Sequence, residues 1–120
     1  MSFAHVTILV KNLQESLDFY QNIVGLPIAR QFDAGEGTTI AFLGEGPTKV
    51  ELIYNKDTHH DAFGENISIG FQVESMDQTM EFVKEKGMEV YSGPFEPNPK
   101  TKFFYVLDPN GLKVQFVQMS

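Results

Sequence analysis

The sequence predicts an α+β fold of two tandem βαβββ modules, and three observations carry that expectation. The chain repeats itself: His5-Val6-Thr7-Ile8-Leu9-Val10, then Leu13, Leu17 and Phe19, is echoed by Ser68-Ile69-Gly70-Phe71-Gln72-Val73, then Met76, Met80 and Phe82. The halves also close alike, Lys49-Val50-Glu51-Leu52 being answered by Lys113-Val114-Gln115-Phe116. Each copy opens on a β-branched, apolar run and then changes to helical spacing. Gly35-Glu36-Gly37 and Asp108-Pro109-Asn110-Gly111 are strong turn signals that cut the remainder into short extended segments. A period this long, present twice, marks a duplication rather than a solenoid.

Each element follows in order. Residues 3–10 and 66–74 read as strands. Asn12 and Ser75 stand at helix N-cap positions, and Glu15 and Gln78 complete the capping-box spacing. Leu13, Leu17, Tyr20 and Val24 recur at helical intervals, as do Met76, Met80 and Val83. Gly25 and Gly87 fall where a left-handed C-terminal cap belongs. The first helix is followed by extended segments at 27–34, 38–43 and 48–54, the second by segments at 88–92, 102–107 and 112–118. Residues 55–65 form the expected connection between modules, and the stretch 93–102, with its three prolines, a surface loop. The modules, about 1–60 and 61–120, form one domain, since 120 residues build a real core but not two independent ones.

Composition narrows the function classes. A formal net charge of −7 argues against nucleic acid and anionic membrane surfaces, both of which require a basic patch. The absence of Cys excludes disulfides, thiolate zinc sites and Cys nucleophiles, and suits a reducing compartment. His5 and the polar Lys11-Asn12 arrive too early for a signal peptide, and no apolar run approaches a membrane span. A cytoplasmic, acidic, soluble protein is expected.

Strand side chains alternate between faces. In the first strand Val6, Ile8 and Val10 oppose His5, Thr7 and Leu9; in the fourth, Val50, Leu52 and Tyr54 oppose Glu51 and Ile53. The apolar sets belong against the helices, which places His5 and Glu51 together on the far face. By the repeat, Ser68, Gly70, Gln72 and Gln115 occupy the same kind of face in the second module. Such a face, with a few convergent polar groups among apolar ones, suits a ligand cleft, although antiparallel sheets also carry ordinary solvated faces.

These elements together resemble the vicinal oxygen chelate superfamily, which holds glyoxalase I, extradiol dioxygenases, and fosfomycin- and bleomycin-resistance proteins. The resemblance spans about residues 3–118 and rests on several motifs. They are His5 opening the first strand, Ser16-Leu17-Asp18-Phe19-Tyr20 with Gly25-Leu26, Val50-Glu51-Leu52-Ile53-Tyr54-Asn55, Ile69 through Val73, and Asp108-Pro109-Asn110-Gly111. The stretch Glu51-Leu52-Ile53-Tyr54-Asn55 is most similar to bacterial-type glyoxalase I. The resemblance implies curved mixed sheets, a homodimer, and a divalent metal (nickel or zinc, with manganese behind them) held by side chains on the first and last strands of each module. The matching positions are His5, Glu51, Ser68 and Gln115, two typical ligands and two substitutes. Leu9 stands where glyoxalase I usually carries an Arg for a glutathione carboxylate.

The chemistry of these residues sets the expectations. Divalent metals of this class take imidazole and carboxylate ligands and keep open positions for water and substrate. His5 and Glu51 supply two; Gln115 offers a neutral carbonyl oxygen, and Ser68 a weaker hydroxyl. Glyoxalase-type isomerisation also requires a base beside a polarised carbonyl, and Glu51 is the one carboxylate of the four that can serve. Without metal, His5 and Glu51 form a hydrogen-bonding pair in a cleft. Leu9, Phe42, Asn55, Gln72 and Phe104 are the candidate ligand-contacting residues, Phe42 and Phe104 as the cleft's aromatic lining with Phe103 and Tyr105 in the core. His59-His60 with Asp61 reads as a solvated connection, since adjacent loop residues seldom converge on a metal. Arg30, the chain's single Arg, reads as an exposed strand cation, with anchoring of an anionic substrate as the other role. Two function classes follow: a divergent glyoxalase-type metal-dependent lyase or isomerase acting on a small carbonyl or thiol adduct, and a metal-free protein of the bleomycin-resistance kind. The second would sequester a small ligand in a dimer cleft, to which aromatic rings and negative charge would draw a cation.

Overall fold

The expected βαβββ order occurs twice in the computed structural model, which describes residues 1–58, 63, 64 and 66–120. The chain divides into two compact units, Met1–Asp61 and Ala62–Ser120, each with its own four-stranded mixed sheet. The first unit contains β1 (His5–Leu9), α1 (Leu13–Asp18), a π-helical turn (Phe19–Ile23), β2 (Ile28–Asp33), β3 (Thr38–Leu43) and β4 (Lys49–Asn55). The second contains β5 (Ser68–Gln72), α2 (Met76–Glu85), β6 (Ser92–Asn98), β7 (Thr101–Leu107) and β8 (Lys113–Met119). Strand order is β1-β4-β3-β2 and β5-β8-β7-β6; the outer pairs β1/β4 and β5/β8 are parallel, the rest antiparallel. Among the described residues no helix is long and apolar enough to cross a membrane.

The helix starts obey the local chemistry. Asn12 Oδ1 accepts the Glu15 N–H at 2.9 Å, and Ser75 Oγ accepts that of Gln78 at 3.2 Å, each satisfying a backbone donor that the first turn leaves unpaired. Gly25 and Gly87 close the helices at φ of 88° and 82°, a region that L side chains enter only at a cost. The first helix departs from a uniform α-helix: it widens into a π turn at Phe19–Ile23. An α-helix would turn consecutive side chains about 100° apart. The wider turn accompanies burial of both Phe19 and Tyr20, whose rings meet edge to face at 4.8 Å.

One face of each sheet packs on its helix. Ile8, Val10, Ala41, Leu43, Val50 and Leu52 are buried in the first unit with Leu17, Phe19 and Tyr20; Phe104, Val106, Val114 and Phe116 are buried in the second with Met76 and Val83. The Asp108-Pro109-Asn110-Gly111 turn is itself a buried polar staple. Asp108 Oδ1 accepts the N–H groups of Asn110 and Leu112 at 2.8 and 2.9 Å, fixing the entry into β8.

One expected boundary is corrected. The strand foreseen at 88–92 begins at Ser92 and runs to Asn98, through the proline-containing stretch expected to be a loop. Prolines lack the donor a central strand needs, but β6 is an edge strand, where a missing N–H is tolerated. The pairing with β7 shifts register between Ser92 and Phe95 and again before Asn98, as such a sequence requires. Gly93 makes the close approach possible: at φ 106°, a Cβ there would lie 3.1 Å from Phe104 Cα.

Candidate functional site

The open face of the first sheet, opposite the helix, gathers the chemistry. Strand register places Thr7 beside Glu51, Glu51 beside Phe42, and Phe42 beside Arg30, one row across all four strands. His5 pairs with Lys49, two positions before Glu51 on β4, and therefore sits diagonally from Glu51 on the same face. Its Nε2 lies 3.4 Å from Glu51 Oε1. Thr7 Oγ1 donates to that same oxygen at 2.6 Å, whereas Oε2 receives no hydrogen bond among the described residues. Glu51 is 9% exposed, so its carboxylate is largely stripped of water and held by charge-assisted contacts. The His5 imidazole is solvent-accessible and rests edge-on against Phe42 at 5.7 Å.

The remaining residues on this face divide. Leu9 continues the open face of β1 and is exposed. Asn55 lies on the face of Glu51, but both ends of its amide are engaged: Nδ2 donates to Thr38 Oγ1 at 2.6 Å, and Oδ1 accepts the Asp57 N–H at 2.8 Å. It therefore holds the end of β4. The Arg30 guanidinium lies 5.2 Å from the Phe32 ring centre and 4.9 Å from that of Phe42.

The second unit repeats the layout with altered chemistry. Ser68 pairs with Lys113 and Gly70 with Gln115, so Ser68 and Gln115 keep the diagonal of His5 and Glu51. Ser68 and Gln72 are exposed on this face. Gln115 Nε2 donates to Tyr105 Oη at 3.3 Å, and its Oε1 fills the space over Gly70, 2.9 Å from where a Cβ would stand. Thr7 holds Glu51 in the first unit; its counterpart Gly70 instead makes room for Gln115.

Phe104 is corrected from cleft to core. It is fully buried, packed against Phe116 at 5.4 Å, and faces the helix. Period-two alternation then turns Phe103 and Tyr105 outward, where they meet Phe95 at 5.3 and 6.4 Å. Phe42 corresponds by register to Tyr105, beside Gln115, and not to Phe104. His59, His60 and Asp61 lie outside the described residues.

The pair on the first sheet fits a divalent cation. Two donors each about 2.1 Å from zinc at a tetrahedral angle would lie about 3.4 Å apart, and His5 Nε2 and Glu51 Oε1 are 3.4 Å apart. Among the described residues no group of three or more His, Cys, Asp or Glu side chains converges, so this pair is a partial set. Alternation alone puts Thr7 on this face without a role; its hydroxyl, two residues from His5 on a parallel neighbour of β4, is the signal that it can reach Glu51. Thr7→Val should leave the fold intact and weaken zinc binding about tenfold, measured by competition with a chromogenic chelator, because it frees the carboxylate to rotate.

Comparison with known proteins gives the family. Residues 2–116 match the model of the Glyoxalase/Bleomycin resistance protein/Dioxygenase superfamily. The chain belongs to that superfamily. It is similar to a lactoylglutathione lyase of Neisseria meningitidis serogroup A, at 36% identity over 126 residues covering 98% of this chain and 91% of that protein. A probable lactoylglutathione lyase of Synechocystis is 32% identical, covering 100% and 97%. In fold it is similar to a trypanothione-dependent glyoxalase I of Leishmania major (TM-score 0.84, 23% identity, 98% and 86% covered). It also resembles TnmS3, an antibiotic binding protein from Streptomyces (TM-score 0.80, 18% identity, 100% and 97% covered).

Proposed function

We propose that the protein is a divalent-metal-dependent lyase of the glyoxalase I type, acting as a homodimer on a small 2-oxoaldehyde as its thiol adduct. The observation that carries this is the His5–Glu51 pair, with Thr7 fixing one carboxylate oxygen and the other left without a donor among the described residues. The lactoylglutathione lyases to which the chain is similar support the substrate class. His5 and Glu51 would hold the cation, which when bound supplies a Lewis acid for the substrate oxygens.

The chain's own residues do the rest. Glu51 takes the proton from the carbon bearing sulfur and hydroxyl; that electron pair becomes the carbon–carbon double bond of an enediolate, and the carbonyl π pair moves to oxygen. Return of that proton to the neighbouring carbon, with the hydroxyl proton passing from the first oxygen to the second, gives the thioester and hydroxyl of a lactoyl thioester with no change in atoms or electrons. Burial leaves the Glu51 carboxylate little contact with solvent. Phe42, against His5, walls the site.

A second reading keeps one specific observation. On the second unit's open face Phe95, Phe103 and Tyr105 are in mutual ring contact beside the neutral Gln115, a platform for a flat ligand that uses no metal. An antibiotic-binding fold relative fits that role. One assay separates the readings: the glutathione–methylglyoxal adduct is offered to chelator-treated protein and to the same protein reloaded with nickel or zinc. The lyase reading expects lactoylglutathione to form only after reloading. Absence of product with every metal tried removes it and leaves the binding reading.

A further inference from the structure

We infer that Arg30 is a carboxylate anchor that selects anionic substrates for the His5–Glu51 centre; this rests on the reading of Glu51 as the reacting residue. Arg30 stands on the open face, in the same cross-strand row as Glu51, with Phe42 between them. Neighbouring strands lie about 4.8 Å apart, so two steps set the Arg30 and Glu51 backbones about 10 Å apart. A substrate lying over Phe42 would reach both.

The guanidinium is built for this role. Its charge rests on Phe32 and Phe42, whose centres are 6.4 Å apart, so both rings stand to one side of the group, and its N–H donors make no hydrogen bond among the described residues. Among the described residues no carboxylate pairs with Arg30. A solvated strand cation would gain little from such fixing; a planar fork held in place loses less freedom when it grips a carboxylate with two parallel hydrogen bonds. In a chain of net charge −7, a held and unpaired cation beside the proposed reacting pair is a selective feature. Leu9, exposed on β1 of the same face, offers no such charge. The substrate class is therefore a carbonyl compound or thiol adduct carrying a carboxylate across one ring's width from the carbon that loses its proton.

That carboxylate has two possible sources, the C-terminal glycine of a glutathione-type thiol and a small hydroxy or oxo acid, and matched pairs distinguish them. Calorimetric titration of metal-free protein with S-methylglutathione and its glycinamide, and with lactate and lactamide, measures the preference without any metal–carboxylate bond. The wild type should bind at least one acid about tenfold or more tightly than its amide, and the pair showing the preference names the source. Arg30→Met, which keeps the stem against the rings, should abolish the preference; Arg30→Lys should retain part of it. Equal binding of acid and amide by the wild type, no binding of either acid, or a preference surviving in Arg30→Met overturns the assignment. Should Arg30→Met not fold, an undiminished preference in Arg30→Lys does the same, since a single ammonium lacks the fork. Because every titration is metal-free, loss of the lyase reading in the reloading assay leaves this result separately readable.

Discussion

Glu51→Gln should abolish lyase activity and metal retention together while changing thermal stability by only a few degrees. Two losses combine. The variant removes the general base, an effect of about 10²–10⁴-fold on its own, and it removes the anionic donor from a site that has only one other strong ligand. The fold should tolerate the change, because the amide oxygen of a Gln can still accept the Thr7 hydroxyl that Oε1 accepts now. The protein carries a precedent, since Gln115 already occupies the equivalent place in β8. Coupled measurement of lactoylglutathione formation, bound metal and melting temperature checks all three. Activity within a few fold of wild type would exclude Glu51 as the base.

Phe104→Ala should do the opposite, costing stability and sparing the site. Phe104 is fully enclosed between sheet and helix against Phe116, so truncation leaves a cavity as well as losing apolar burial. Comparable core truncations cost about 3–5 kcal/mol. In a domain of this size that lowers the melting temperature on the order of 10 °C or more. Ligand affinity of the folded fraction, measured well below the transition, should stay within about twofold, since sites without shared contacts act independently. A stable variant with lost binding would return Phe104 to the ligand face.

The contrast between these residues shows what the sequence made legible. Where a local rule acts alone the sequence is legible: Asn12 and Ser75 cap, Gly25 and Gly87 terminate, and alternation puts His5, Thr7 and Glu51 on one face. The face of Phe104 is not legible locally, because three consecutive aromatics leave the phase of alternation open, and only pairing with Phe116 on β8 decides it. The extent of β6 is hidden in the sequence because proline argues against strands in general but not at an edge, and edge position is a property of the whole sheet. The π turn answers to packing of Phe19 with Tyr20, which no periodicity announces. Thr7 and Arg30 were visible as residue types. Their roles depend on which atoms they reach across neighbouring strands.

The repeat also clarifies the division of labour between units. Both sheets keep the same diagonal on their open faces, but one carries His, Thr and Glu, and the other Ser, Gly and Gln. Duplication supplied the geometry twice; strong ligand chemistry survives once.

The most direct test of the central claim is metal content. Protein purified without chelator, offered nickel, zinc and manganese in turn, dialysed and analysed by elemental mass spectrometry should retain about one equivalent per His5–Glu51 pair. His5→Ala and Glu51→Gln should each retain none. No metal retained by the wild type, or undiminished retention in both variants, would contradict the assignment.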